Sequence, residues 1–197
     1  FLCLDVTESL RLFQPTFTAR VHKRSPRRYL RRCAELIKQG LGMPSLFNDE
    51  VIIPAMINRG VSVEDARNYC MVGCVEPSVQ GKWGGRYGAC LFNLTKCLEL
   101  ALYNGKDPRT GIQLCPGNGD LSTFTSYQEL FDAYEKQVKY FVRQHVIRDN
   151  IQDMVWEKYL PIPLISCLVS DCMERGKEIK EGGAVYDYTG GQTGGIA

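Results

Sequence analysis

The sequence has little surplus of either charge. Its 24 Lys and Arg stand against 22 Asp and Glu, a net of +2. So even a balance leaves no broad basic footprint for a nucleic acid. Apolar residues make up 44% of the chain but are scattered, and no run is long enough to span a bilayer. A basic start leading into a short apolar core and a cleavage site is also missing, so no secretory signal is read. Internal repeats and low-complexity linkers are absent, and no domain boundary is expected within the chain. The nine cysteines are odd in number, and a chain neither short nor loop-dominated does not suggest a disulfide framework. Cys3, Cys33, Cys90, Cys97 and Cys167 lie in apolar or helical patterns. They read as reduced core residues in a cytoplasmic, anaerobic compartment. Cys70 and Cys74 are spaced C-x3-C, but no second pair completes a zinc set, so no metal is expected.

What is present centres on Tyr69-Cys70-Met71-Val72-Gly73-Cys74-Val75-Glu76-Pro77. Pro77 disfavours helical backbone at Glu76 and pushes it toward an extended conformation. In extended chain, residues i and i+2 face the same way, so Cys74 and Glu76 are expected to project into one space. Gly73 permits a bend that places the pair at a loop tip. From spacing alone a free cysteine is commonly a small buried hydrophobe and a nearby glutamate a solvated one. The functional reading is a sulfur and an acid/base group within reach of one small molecule.

Periodicity predicts a helix over residues 1–13 (Leu2, Val6, Leu10, Phe13) and a strand over 16–21. A helix then starts at Ser25-Pro26, with Ser25 as cap and Tyr29, Leu30, Cys33, Ala34 and Ile37 as its stripe. Arg24, Arg27, Arg28, Arg31 and Arg32 form its solvated face. A short strand or turn at 45–49 and a helix over 50–58 come next. Ser62 and Asp65 cap a further helix that ends at Gly73 and delivers Cys74. Residues 90–103 read as an amphipathic helix stopped by Asn104-Gly105, and 107–121 as a loop. Ser126 and Glu129 open a long helix reaching Trp156, with His145 as a packed helix residue. A strand or buried turn at 164–169, a charged helix at 171–180 and a strand at 183–189 complete the pattern. The alternation of helices with short strands makes the fold class α/β, with the character of a barrel piece.

Gly73-Cys74-Val75-Glu76-Pro77 resembles the active-site cysteine loop of the glycyl radical enzymes, in the pyruvate formate-lyase-like group. The likeness extends to Gln14-Pro15-Thr16-Phe17-Thr18-Ala19-Arg20-Val21-His22, to Gly42-Met43-Pro44-Ser45-Leu46-Phe47-Asn48-Asp49-Glu50 and to the lead-in from Gly60 to Tyr69. Phe92-Asn93-Leu94, Leu98 to Leu102 and Asn104-Gly105 follow in order. The resemblance implies a ten-stranded α/β barrel of two five-stranded halves ringed by helices. Residues 1–197 would be an internal portion of that one catalytic domain. It also implies a homodimer acting on a small-molecule substrate. A glycyl radical would be installed by a separate iron–sulfur activating enzyme using S-adenosylmethionine. Cys74 would be the thiyl that takes hydrogen from substrate, and Glu76 the general base. A thiyl reacts with almost anything, which is the physical reason to enclose it.

Some family features are missing. The radical loop, Arg-Val-x-Gly followed by Tyr or Phe, does not occur, and the run Thr189 to Gly195 does not match it. These residues alone are therefore expected to be inactive. Diol and hydroxyproline dehydratases of the family carry His-Asp thirteen and fourteen residues after the cysteine, where this chain has Tyr87-Gly88. Tyr87, Arg86 and Trp83 are expected to shape the substrate pocket instead. Acyl transfer uses two adjacent cysteines, and Val75 follows Cys74 here. Elimination is therefore preferred, as in dehydratases, carbon–nitrogen and carbon–sulfur lyases, and decarboxylases. Formate acetyltransferase-type transfer and an inactive scaffold or binding fragment are the alternatives.

Overall fold

Helix boundaries in this chain follow local capping chemistry. In the computed structural model, which describes all residues except Phe13, Cys74, Val75 and 195–197, side chains of Asn48, Ser62, Asn93 and Ser126 each accept a backbone N–H in the first turn of a helix. Such caps satisfy donors that a helix start leaves orphaned. The chain divides into two compact units, Phe1–Trp83 and Gly84–Ala197. The class is mixed α/β, as the alternation of elements predicts.

The first unit runs α1 (Leu2–Leu10), β1 (Thr18–Val21), α2 (Arg27–Leu36), β2 (Ser45–Asn48), α3 (Asp49–Asn58), α4 (Val63–Arg67), β3 (Cys70–Val72) and β4 (Glu76–Ser78). Strands β1 and β2 pair in parallel, with Arg20 opposite Phe47 and Val21 opposite Asn48. Leu4, Ala19, Cys33 and Leu36 form a core backed by Phe17, Tyr29 and Leu41. Arg32 ties α2 back to α1 through Asp5 (2.6 Å) and Glu8 (2.5 Å). The predicted stripe of α2 is therefore adjusted: Leu36 is buried, while Leu30 and Ala34 are exposed. Ser25 is not the cap of α2; its hydroxyl accepts from the His22 N–H, and Pro26 takes the cap position. The helix capped by Ser62 ends at Arg67, not Gly73, because Cys70–Val72 finds a partner strand. Strands β3 and β4 form an antiparallel hairpin with Val72 opposite Glu76 and Cys70 opposite Ser78.

The second unit holds β5 (Leu91–Asn93), α5 (Leu94–Leu102), α6 (Tyr127–Tyr159), α7 (Pro163–Ser166), α8 (Cys172–Arg175) and β6 (Gln192–Gly194). At 33 residues, α6 is about 50 Å long at 1.5 Å per residue. It packs Ala133 and Gln137 in the interior, as α5 does Cys97, Leu100 and Ala101. The irregular 104–121 stretch is held by amides. Asn104 Oδ1 accepts from the backbone of Asn118 and Gly119. Gln137 Nε2 donates to the Pro116 carbonyl and to Asn118 Oδ1.

Three expectations change in this unit. Residues 164–169 are neither a strand nor a buried turn: Pro163–Ser166 is one helical turn, with Pro163 at a first helical position where its fixed φ is favourable, and Leu164 and Leu168 are exposed. The 171–180 helix shortens to α8 and a single turn at Ile179–Glu181. The expected strand at 183–189 moves to β6, which pairs in parallel with β5. Glycines explain the shift. A β-carbon on Gly85 would lie 1.8 Å from the Tyr188 carbonyl oxygen, and one on Gly191 would lie 2.8 Å from Cys90 Sγ. Two segments that need this approach meet through Gly84 N–H to Tyr186 O (2.7 Å), Gly190 N–H to Arg86 O (2.9 Å) and Ala89 N–H to Gly190 O (3.0 Å). The eight described cysteines are free, and Cys3 and Cys167 are exposed rather than core. Among the described residues, no helix is long and apolar enough to cross a membrane.

Candidate active site

The hairpin β3–β4 carries the candidate site. Glu76 opens β4 in extended conformation, as Pro77 requires, and is only 7% exposed. Gly73 adopts φ +60, the left-handed backbone expected of a bend. The two strands are joined by Gly73-Cys74-Val75, so Cys74 is the middle residue of the link in sequence. Cys74 itself, with Val75, lies outside the described residues. The Glu76 carboxylate lies close over Gly73: a β-carbon there would stand 3.2 Å from Glu76 Oε2. Ser78 and Val79 are buried beyond it.

The root of the hairpin is held by a ring of polar contacts that sequence patterns do not signal. Arg20, from β1, donates Nε and Nη2 to the two oxygens of Asp49 at 2.8 and 2.9 Å. Its third nitrogen donates to the Tyr69 carbonyl at 3.2 Å. Its guanidinium carbon lies 4.0 Å from the centre of the Tyr69 ring. The Tyr69 hydroxyl closes the ring by donating to Asp49 Oδ1 at 2.7 Å. Tyr69 is 2% exposed and immediately precedes β3. Asp49 is the first residue of α3, where the helix dipole favours negative charge. Burial works against that charge, but the hydrogen bonds from Arg20 and Tyr69 outweigh it and hold the carboxyl below the usual range. Burial and the bond to Asp49 push the Tyr69 phenol well above its ordinary value, so it stays a donor. Lys82 fixes the far side of the hairpin to Asp65 at 2.8 Å.

The other predicted pocket residues fall as follows. Trp83 is half-buried at the end of the first unit. Tyr87 is half-buried in the second. Arg86, also in the second unit, is buried and already matched. Its guanidinium pairs with Asp149 (3.2 Å) and Asp153 (2.9 Å) and lies over the Trp156 ring. His145 Nε2 meets the second Asp149 oxygen at 2.9 Å, which fits the packed role expected for it. His145, Asp149, Asp153 and Trp156 share one face of α6 through spacings of four, four and three residues. No group of three His, Cys, Asp or Glu able to hold a metal occurs among the described residues.

The described part of the hairpin holds one buried carboxylate, Glu76, two residues after Cys74 in sequence. Comparison with known proteins gives the chain its family. The model of the Pyruvate formate lyase-like family matches residues 1–197. Trans-4-hydroxy-L-proline dehydratase of Clostridioides difficile is 35% identical over 95% of this chain and 24% of its own length. Isethionate sulfite-lyase of Oleidesulfovibrio alaskensis is 35% identical over 88% of the chain and 21% of its own. The crystal structure of a glycyl radical enzyme from Archaeoglobus fulgidus superposes with TM-score 0.82 at 35% identity, covering all of this chain and 25% of that one. The chain belongs to the pyruvate formate lyase-like family, and its relatives are glycyl radical dehydratases and lyases. It spans about a quarter of the length of the curated relatives it matches.

Proposed function

We propose that these residues form the cysteine-loop part of a glycyl radical lyase whose complete barrel has ten strands. The observation that carries this reading is the buried Glu76 carboxylate folded over Gly73, one residue beyond Cys74 and Val75. Cys74 takes a hydrogen atom from a substrate carbon, and a C–H bond is exchanged for S–H. Glu76 accepts the proton of the neighbouring heteroatom. The substrate radical then expels the adjacent group. That group keeps the bonding pair when it leaves as hydroxide, amine or sulfite and leaves the bonding electrons behind when it departs as carbon dioxide. The product radical recovers the hydrogen atom from Cys74. The glycyl radical, on a residue outside this chain, supplies the first hydrogen abstraction from the thiol once an S-adenosylmethionine-dependent iron–sulfur activating enzyme has generated it. A cytoplasmic homodimer is the assembly that fits the family resemblance.

Tyr87 and Trp83 are substrate-binding residues in this reading. Arg86 contributes by holding the Gly84–Tyr87 segment, because Asp149 and Asp153 already match its charge. The bond broken is carbon–oxygen, carbon–nitrogen, carbon–sulfur or carbon–carbon. Tyr87-Gly88 in place of the family's His-Asp argues against a small polyol.

The test uses the full-length protein, activated anaerobically and offered isethionate, with trans-4-hydroxy-L-proline as the substrate that Tyr87-Gly88 argues against. Glu76→Gln is expected to lower turnover by about 10²-fold or more, the scale of a lost general base, while deuterium still passes between substrate and Cys74. Full activity in that variant removes the base role. A radical that forms but exchanges hydrogen with no substrate favours an inactive scaffold.

A further inference from the structure

We propose that Arg20, Asp49 and Tyr69 are positioning residues for the hydrogen-transfer step, a clamp that sets where the hairpin presents Cys74. The inference rests on the radical reading above.

The ring has no slack. Arg20 spends both edges of its fork on Asp49 and its remaining nitrogen on the Tyr69 backbone, while its face covers the Tyr69 ring. The Tyr69 hydroxyl returns to the same carboxylate. Three elements meet here: β1 through Arg20, the start of α3 through Asp49, and the first turn into β3 through Tyr69. Arginine is suited to this because its planar fork and face act together, which a lysine cannot reproduce. The hairpin beyond Tyr69 is short, three residues per strand with fixed register. A shift at its root therefore carries through to Gly73 and to the Glu76 carboxylate lying over it. Hydrogen transfer between a sulfur and a carbon tolerates little such shift, because reacting atoms must approach within about 3–3.5 Å.

A probe is available that needs no substrate. A glycyl radical carries one α-hydrogen that splits its EPR signal into a doublet. When the Cys74 thiol gives its hydrogen atom to the radical carbon, a C–H bond forms, an S–H bond breaks and the unpaired electron moves to sulfur. The return transfer takes either hydrogen. Since the sulfur-bound hydrogen exchanges with solvent, the doublet collapses to a singlet in D2O at a rate set by this transfer. In the full-length activated protein, Tyr69→Phe is expected to slow the collapse about tenfold and Arg20→Lys about a hundredfold, the cost of a misplacement near 1 Å. Radical yield should stay within twofold in both. A ring that serves only stability would lower the thermal midpoint and leave the collapse rate within twofold of the parent, and that result overturns the clamp. If Tyr69→Phe does not accumulate, Asp49→Asn takes its place, keeping an acceptor for the hydroxyl while removing the charge Arg20 needs. Cys74→Ala separates the two claims. It should hold a doublet that never collapses; collapse at the parent rate defeats the thiol reading and the clamp with it. Absence of collapse in Cys74→Ala with normal collapse in the clamp variants defeats the clamp alone.

Discussion

Each of the two units places an arginine against carboxylates, and the two arginines stand in different circumstances. Arg86 is 6% exposed at its side chain and faces Asp149, 10% exposed, with Asp153 and His145 added from the same helix face. Arg20 is 34% exposed, faces a single carboxylate at 16%, and is closed by a phenol. In the deep cluster Arg86 and Asp149 depend on each other, since removal of either leaves buried charge unmatched. In the shallower ring solvent screens part of any loss, and what the contacts chiefly define is direction. A buried multi-charge cluster anchors a segment, whereas a ring of one ion pair and one hydroxyl aims it. On this view, variants of the second unit should register in stability and variants of the first in chemistry.

The largest expected effect tests the anchoring half. Arg86→Met leaves the buried Asp149 without the Arg86 cation, beside a partly exposed Asp153, and should cost about 3 kcal/mol. It should be seen as a steep fall in thermal midpoint and soluble yield of the full-length protein. A midpoint within a degree or two of the parent would show that the cluster anchors nothing. Next comes Gly73→Ala. At φ +60 an alanine costs only about 1–2 kcal/mol, but its β-carbon would stand 3.2 Å from Glu76 Oε2 and displace the carboxylate. Turnover on whichever probe substrate the parent accepts should fall about 100-fold, out of proportion to the small midpoint change. Parallel losses of stability and turnover in both variants would erase the contrast between the units.

The bend and the extended start of β4 were legible because two residues act on their own backbone: Pro77 extends Glu76 and Gly73 takes the left-handed bend, whereas β3 was not, since its lead-in reads as helix up to Gly73. The capping residues Ser62 and Ser126 were legible for the same local reason, as was the long course of α6. The clamp was not. Arg20 is separated from Asp49 by 29 residues and from Tyr69 by 49, and no periodicity links them. Their meeting depends on the parallel pairing of β1 with β2, which brings Arg20 within one register step of the strand's end at Asn48. The Arg86 cluster was half legible. The spacing of His145, Asp149 and Asp153 marks one helix face, but nothing local names Arg86 as its partner, so that arginine reads from sequence as a ligand for substrate. The Gly-rich tail misled in another way. The alternation of Val185 and Asp187 with Tyr186 and Tyr188 suggests a strand at 183–189, whereas Gly85 lets Tyr188 come close to it and Gly191 lets the tail approach Cys90.

The smallest effect concerns acid. The hydrogen bonds from Arg20 and Tyr69 hold Asp49 below its ordinary value of 3.8. A carboxyl lowered by folding contributes stability that is complete above its unfolded pKa and is lost as pH falls through the folded one. In the second unit Asp107, bonded to Lys96 at 2.7 Å and to Thr110 at 2.7 Å, is lowered to about 2, so its contribution fades between pH 3.8 and about 2. Both groups have the same sign, and the thermal midpoint of the full-length protein should drop as pH is taken below 4. Asp49→Asn and Asp107→Asn should each lower the midpoint at neutral pH and flatten part of that drop. They should differ in one respect. Asp49→Asn should also slow deuterium exchange of the radical at pH 7, and Asp107→Asn should not, because Asp107 braces a loop while Asp49 lies at the root of the cysteine hairpin. An exchange rate that moves equally in both variants would mean that the ring around Asp49 has no privileged hold on the site.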